Sequence, residues 1–213
     1  MNRSVLKNTA KENLTGKFGK WLIIILIPSI VVGILYAASG VLVESSNRFF
    51  VFFGICVYIA VFFISIVLDA LYTFASVDTL EKPYLNVGNL LDDVFGDASR
   101  IIVSQLLMGL FIFLWSLLLI VPGIMKAYSY RMTMYLIKQH PDLTPMEAIQ
   151  LSEKLMKGNR LNLFVLDLSF ILWQILATIT FGLALIYVIP YMNTTHVVYF
   201  KELEKDQPYV YTN

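Results

Sequence analysis

The sequence predicts an all-α integral membrane bundle. Six transmembrane helices form three repeated hairpins, each preceded by a cytoplasmic interfacial amphipathic helix. Three observations predict this. Of 213 residues, 58% are hydrophobic and 15% charged, which is less charge than a soluble domain carries. Apolar runs approaching the ~20 residues that span a bilayer recur along the chain. With six crossings, the stretches 1–20, 77–100, 138–160 and 201–213 share one side and hold thirteen of the sixteen Lys and Arg. The positive-inside rule then places both termini in the cytoplasm. Residues 1–213 read as a single membrane domain, in repeat units of about 1–77, 78–139 and 140–205, with a polar tail at 206–213.

In the first unit, Arg3, Lys7 and Lys11 recur every four residues, as do Leu6, Ala10 and Leu14. A basic stripe beside an apolar stripe suits a helix lying on an anionic membrane surface. A solvated leader helix has the same pattern. Trp21–Val43 is the first span. Its apolar run, with Ala37-Ala38-Ser39, outlines a secretory signal, but a polar segment precedes it and the run continues to Val43. An uncleaved helix follows. Glu44 to Arg48 is a turn, and Phe49 to about Ser76 the second span, with Asp69 inside it.

In the second unit, Val87, Leu90, Leu91, Val94 and Phe95 form one face of a short interfacial helix, with Asp92, Asp93 and Asp97 on the other. Ile101 to about Leu117 is the third span. Pro122-Gly123 marks a reversal, and Pro122–Lys138 the fourth span, because proline suits a first helical turn. Only residues 101–137 separate Arg100 from Lys138, a little under two crossings of about 20 residues. A re-entrant hairpin is the alternative there.

The third unit opens on Thr144-Pro145-Met146-Glu147, a capping box with proline at the first helical position. Gly158 is placed to end that helix. Leu161 to about Ile179 is the fifth span, Thr180 to Gly182 a reversal, and the sixth span runs to about Phe200 with Pro190 as a kink. Pro122, Gly123 and Pro190 are thus the hinge candidates. The three units share an entry pattern: Lys11 to Lys17 around Gly16, Leu91 to Arg100 around Gly96, and Leu151 to Arg160 around Gly158. The last two register at an offset of 60 residues, from Arg100 to Arg160.

Polar residues inside the spans carry the functional reading. Measured from the nearest charged border, Asp69, Arg131 and Asp167 lie roughly 10–14 Å deep at about 1.5 Å per residue. Gln105 and His196 are slightly shallower. An arginine in hydrocarbon needs a partner, and Asp69 with Asp167 would make a charged triad with Arg131. Either the triad fixes how the hairpins pack, or it binds an ion, a proton or an anionic head group. Arg3, Lys7, Lys11, Lys154, Lys157 and Arg160 are the interfacial basic candidates.

Enzyme chemistry finds little support. The sequence contains no His-Glu-x-x-His, no Gly-x-Ser-x-Gly and no Gly-x-Gly-Asp beside either intramembrane aspartate. Two histidines and one cysteine leave few metal ligands. No catalytic residue, metal site or cofactor is expected. Cys56 reads as a packed thiol.

Several segments together resemble the bacterial membrane family catalogued as domain of unknown function 975. They are Val121 to Tyr130, Glu147 to Ser152 with Leu155 to Gly158, Leu166 to Phe170 with Trp173, and Pro190-Tyr191. The resemblance covers about residues 100–205, and the first half only in architecture. It implies a multi-pass protein of the bacterial cytoplasmic membrane and carries over no catalytic residue. A more distant resemblance, to the membrane domain attached to some glycerophosphodiester phosphodiesterases, implies phospholipid traffic. The expected function is a non-enzymatic accessory or envelope factor that binds membrane lipids or a membrane protein partner, not nucleic acid. A small transporter or channel built on the Asp-Arg-Asp layer is the alternative.

Overall fold

A computed structural model describes residues 2–207, so the end of the polar tail, 208–213, lies outside the described residues. Among them the chain is all-helical, in eleven helices: α1 Arg3–Leu14, α2 Phe18–Val43, α3 Arg48–Glu81, α4 Val87–Gly96, α5 Ala98–Leu118, α6 Ile120–Ser129, α7 Thr133–Gln139, α8 Pro145–Leu155, α9 Arg160–Leu168, α10 Ile171–Ile179 and α11 Leu185–Asp206. Four stretches are long and apolar enough to cross a membrane: α2, α3, α5 and the run Arg160–Ile179.

α3 and α11 form the spine. α3 packs on α2, α4, α5, α7 and α11, and α11 also packs on α1, α2 and α10. Phe74, Ala75 and Val77 of α3 are fully buried, as are Leu136 and Ile137 of α7, with Val197 and Tyr199 of α11 close behind. The opposite ends of the helices are bare. Ile27, Ile30, Phe49, Phe52, Leu118, Ile120, Leu172 and Ile179 all expose their side chains. Apolar groups directed outward suit a hydrocarbon surround, which provides no hydrophobic drive to bury them.

α1 buries Leu6, Ala10 and Leu14, the apolar stripe of the sequence, against α11 and α3. Gly16 closes it at φ +80° and Gly158 closes the segment after α8 at φ +83°. Both adopt the left-handed conformation that a Cβ disfavours. Gly96 instead lies inside α4 with no positive φ, because Asp97 continues directly toward α5. α4 buries Leu90 and Val94 and is capped by the Asn86 side chain.

The segment from 101 to 138 departs from the expected pair of straight spans. The reversal falls at the single extended residue Leu119 (φ −159°, ψ 144°), three residues ahead of Pro122. Pro122 sits in the first turn of α6, where no amide hydrogen is missed. Gly123 lies where α5 and α6 touch: a Cβ there would meet Ser116 Cα at 3.0 Å. The expected fourth span is two helices, of 10 and 7 residues, separated by a turn at Tyr130 to Met132. α9 and α10 are likewise separated by a turn at Ser169-Phe170. α11 runs unbroken through Pro190 and on to Asp206, beyond the expected end at Phe200.

α8 starts as the sequence requires. The Thr144 hydroxyl accepts from the Glu147 amide, and the Glu147 carboxylate accepts from the Thr144 amide at 2.8 Å. Those bonds hold the Glu147 carboxyl below its usual value. Its folded value being depressed, the stabilisation is present above the unfolded value near 4.5 and is lost as pH falls through the folded one. Thr144→Ala, which removes the hydroxyl cap on the Glu147 amide, should cost about 1 kcal/mol at neutral pH. In thermal unfolding of detergent-solubilised protein, its gap from the parent should narrow without vanishing as the pH is lowered below 4.5, because the hydroxyl still accepts from the Glu147 amide.

Candidate functional site

The site forms where the helices are discontinuous. Backbone groups at a helix break need partners inside a membrane protein, since hydrocarbon supplies none. At the α6–α7 break a single side chain serves both halves. The Ser152 hydroxyl of α8 accepts from the Met132 amide at 3.2 Å and donates to the Ser129 carbonyl at 2.8 Å. At the α9–α10 turn, the Lys7 ammonium of α1 donates to the Ser169 carbonyl at 3.0 Å and lies 4.1 Å from the centre of the Phe170 ring. Arg131 stands in the first break, and Asp167 two residues before the second.

Asp167 is fully engaged. His196 of α11, almost wholly buried, holds one carboxylate oxygen through Nε2 at 2.6 Å. Tyr128 of α6 donates its hydroxyl to the other at 3.0 Å. This network ties α6, α9 and α11 together. Asp69 of α3 accepts from the Gln105 amide of α5 at 2.8 Å.

Arg131 differs from both. Among the described residues it makes no ion pair within 4.0 Å and no hydrogen bond, so the expected charged triad is not closed by direct contact. Its side chain instead lines three adjoining cavities. One, of about 40 Å³, includes Asp69, Thr73, Asn193 and His196. A second, of about 220 Å³, includes Asp69, Gln105, Met108 and Ile112. The third, of about 180 Å³, includes Tyr128 and Asp167. The other four polar residues singled out by depth thus each share a cavity with the Arg131 side chain.

The basic candidates fall elsewhere. Arg3 lines a cavity of about 120 Å³ with Asn162 and Tyr199. Lys7 is turned inward, and its burial, with Lys11 and Arg3 nearby, pushes the ammonium below its ordinary value. Lys11 lies 5.5 Å from the centre of the Tyr191 ring. Lys154 and Lys157 are exposed. Arg160 approaches Glu153 at 3.8 Å, and Lys126 pairs with the same carboxylate at 2.5 Å. Lys126 of α6 therefore sits beside α8. Cys56 is exposed rather than packed.

A second charged group joins the helix ends. Asp78 of α3 is buried and paired with Lys82 at 2.8 Å and with Lys138 of α7 at 3.6 Å. Lys138 also pairs with Asp93 of α4. The Asp78 bond raises the Lys82 ammonium above its ordinary value. Among the described residues, no cluster of three or more His, Cys, Asp or Glu has metal-binding geometry.

Spacing alone reached the five polar residues, but Ser152, Lys7 and Tyr128 acquire their roles only through tertiary contact. If the Asp167 network locks the helices, His196→Ala should destabilise the protein by about 2–3 kcal/mol, as expected for losing a hydrogen bond to a buried charge. Tyr128→Phe should cost only about 1 kcal/mol, because Asp167 keeps His196. Unfolding in mixed micelles, read by tryptophan fluorescence, separates the two.

No curated protein and no solved structure matches the chain. Residues 117–207 match the family described as Protein of unknown function (DUF975).

Proposed function

We propose that this protein is a non-enzymatic, multi-pass membrane protein that binds membrane lipid. The observation that carries this reading is an apolar groove of about 320 Å³ between α2, α3, α4 and α5, with Pro28, Phe63, Val67, Leu71, Phe95 and Ile102 among its walls. The groove is almost devoid of polar surface, and Phe95 is exposed at its edge. A concave apolar slot beside lipid-facing helices suits an acyl chain. An accessory role in the bacterial envelope fits such a binder.

The membrane placement is part of the proposal. α2, α3, α9–α10 and α11 cross the cytoplasmic membrane, α5 enters it, and α6–α7 return as two half-helices. Both termini are cytoplasmic, and α1, α4 and α8 lie toward that side. The left-handed glycines after α1 and α8 support a repeat of the first and third units. A second reading, a small transporter, is favoured by one observation, the unpaired Arg131 at a helix break, a feature that transporter sites share.

Two experiments test these proposals. Single cysteines at Ser46 and Asp142, in a Cys56→Ser background, should label with impermeant maleimide from opposite sides of the membrane. Labelling of both from outside rejects the topology. Native mass spectrometry of protein released from lipid nanodiscs should show retained phospholipid. Val67→Trp, which fills the groove, should remove at least one lipid without lowering the melting temperature. Equal retention by parent and variant rejects the groove as the site.

A further inference from the structure

We infer that the space around Arg131 and Asp69 binds the head group of an amine-bearing phospholipid, with its phosphate on the Arg131 guanidinium and its ammonium among Asp69, Thr73 and Asn193. This inference rests on the lipid-binding reading and adds a head-group site that shares no lining residue with the apolar groove.

The charges limit the choice. Arg131 offers five N–H donors and spends none of them on the described residues. Asp69 accepts a single bond, from Gln105, leaving one oxygen without a partner. Asp167, by contrast, has both oxygens occupied. The unspent groups are therefore one cation and half of one carboxylate, and they line the same two cavities. An anion alone would lie against Asp69, and a cation alone against Arg131, each meeting a like charge. A zwitterion satisfies both.

The two cavities differ in character, and the difference orients the ligand. In the smaller one, the Thr73 hydroxyl donates to the Asp69 carbonyl at 3.2 Å and the Asn193 amide donates to the Ile189 carbonyl at 3.0 Å. Thr73 keeps only acceptor lone pairs, and Asn193 keeps its carbonyl oxygen. With Asp69 these make three acceptors, matching the three N–H donors of a primary ammonium. About 40 Å³ admits a group little larger than water, so an ammonium fits and a trimethylammonium does not. The larger cavity continues past Arg131 along Met108, Ile112 and Ala127, an apolar wall suited to the glycerol and the start of an acyl chain. A water-soluble zwitterion would leave that wall uncovered.

The test is native mass spectrometry of the full chain released from nanodiscs that hold equal parts of phosphatidylethanolamine, phosphatidylglycerol and phosphatidylcholine. The parent should retain phosphatidylethanolamine about tenfold over each competitor, the value of one charge-assisted hydrogen bond. Asp69→Asn should abolish the preference over phosphatidylcholine, and Arg131→Gln should lower retention of all three. Asp69 is exposed, so its variant should keep the parent melting temperature. Arg131→Lys, which keeps the charge, checks that the loss does not come from misfolding. Retained lipid with no head-group preference overturns the inference and leaves the lipid-binding reading standing. A preference that survives both substitutions overturns it too. No retained lipid overturns both readings. Glycerophosphoethanolamine binding to detergent-solubilised protein as tightly as the lipid does would assign the site to a soluble zwitterion and reject the phospholipid.

Discussion

The arrangement of the second half of the chain depends on one hydroxyl. Leaving the helix at Tyr130 strands the Ser129 carbonyl and the Met132 amide. In a low-dielectric surround, each such group costs several kcal/mol unless it finds a partner. Ser152 answers both at once, as acceptor and as donor. To do so α8 must dock beside the break, and the buried face Ala148, Ile149, Leu155 supplies the contact. The break in turn separates Arg131 from α6 and α7 and directs it to the cavities. Helix discontinuity, α8 docking and the placement of the guanidinium are thus one structural event.

Charge is handled in two ways in the same bundle. At the helix ends Asp78, Lys82, Lys138 and Asp93 form a chain of opposed partners that joins α3, α4 and α7. Farther along the bundle, the Asp167 carboxylate is compensated by hydrogen bonds from a histidine and a tyrosine. Buried charges are retained only when compensated in such ways. Arg131 follows neither pattern, although two carboxylates share its cavities. That contrast with Asp78 and Asp167, both of which have partners, is what directs attention to a ligand.

The sequence made the boundaries of most helices legible because their signals are local. The capping box at Thr144, the left-handed Gly158 and the reversal at Gly182 each depend on a few neighbouring residues, and each appears in the structure. Spacing from the charged borders also drew Asp69, Gln105, Arg131, Asp167 and His196 to one layer. It did not reveal the α6–α7 break. Tyr-Arg-Met contains no glycine or proline, and the break exists because Ser152, twenty residues away, makes it tolerable. Nor did it pair the charges, since depth fixes a position along a helix but not its rotation. Lys7 fell on a basic stripe suited to head groups, yet long side chains turn inward when a carbonyl and an aromatic face are within reach.

The seat of α1 carries a consequence for biogenesis. Leu6 and Ala10 are buried against α11, and Lys7 completes a turn formed by residues 169 and 170. Helix α1, made before the other described helices, therefore rests on α11, made after them. Until α11 is synthesised, α1 has only α3 to cover its apolar stripe. Domains generally mature from the N-terminus as they are made, but here the closing contact spans nearly the whole chain, and such long-range closure comes late. Products stalled before α11 would present α1, basic and amphipathic, with most of its apolar stripe unpartnered, a handle by which quality-control machinery can tell an unfinished molecule from a finished one.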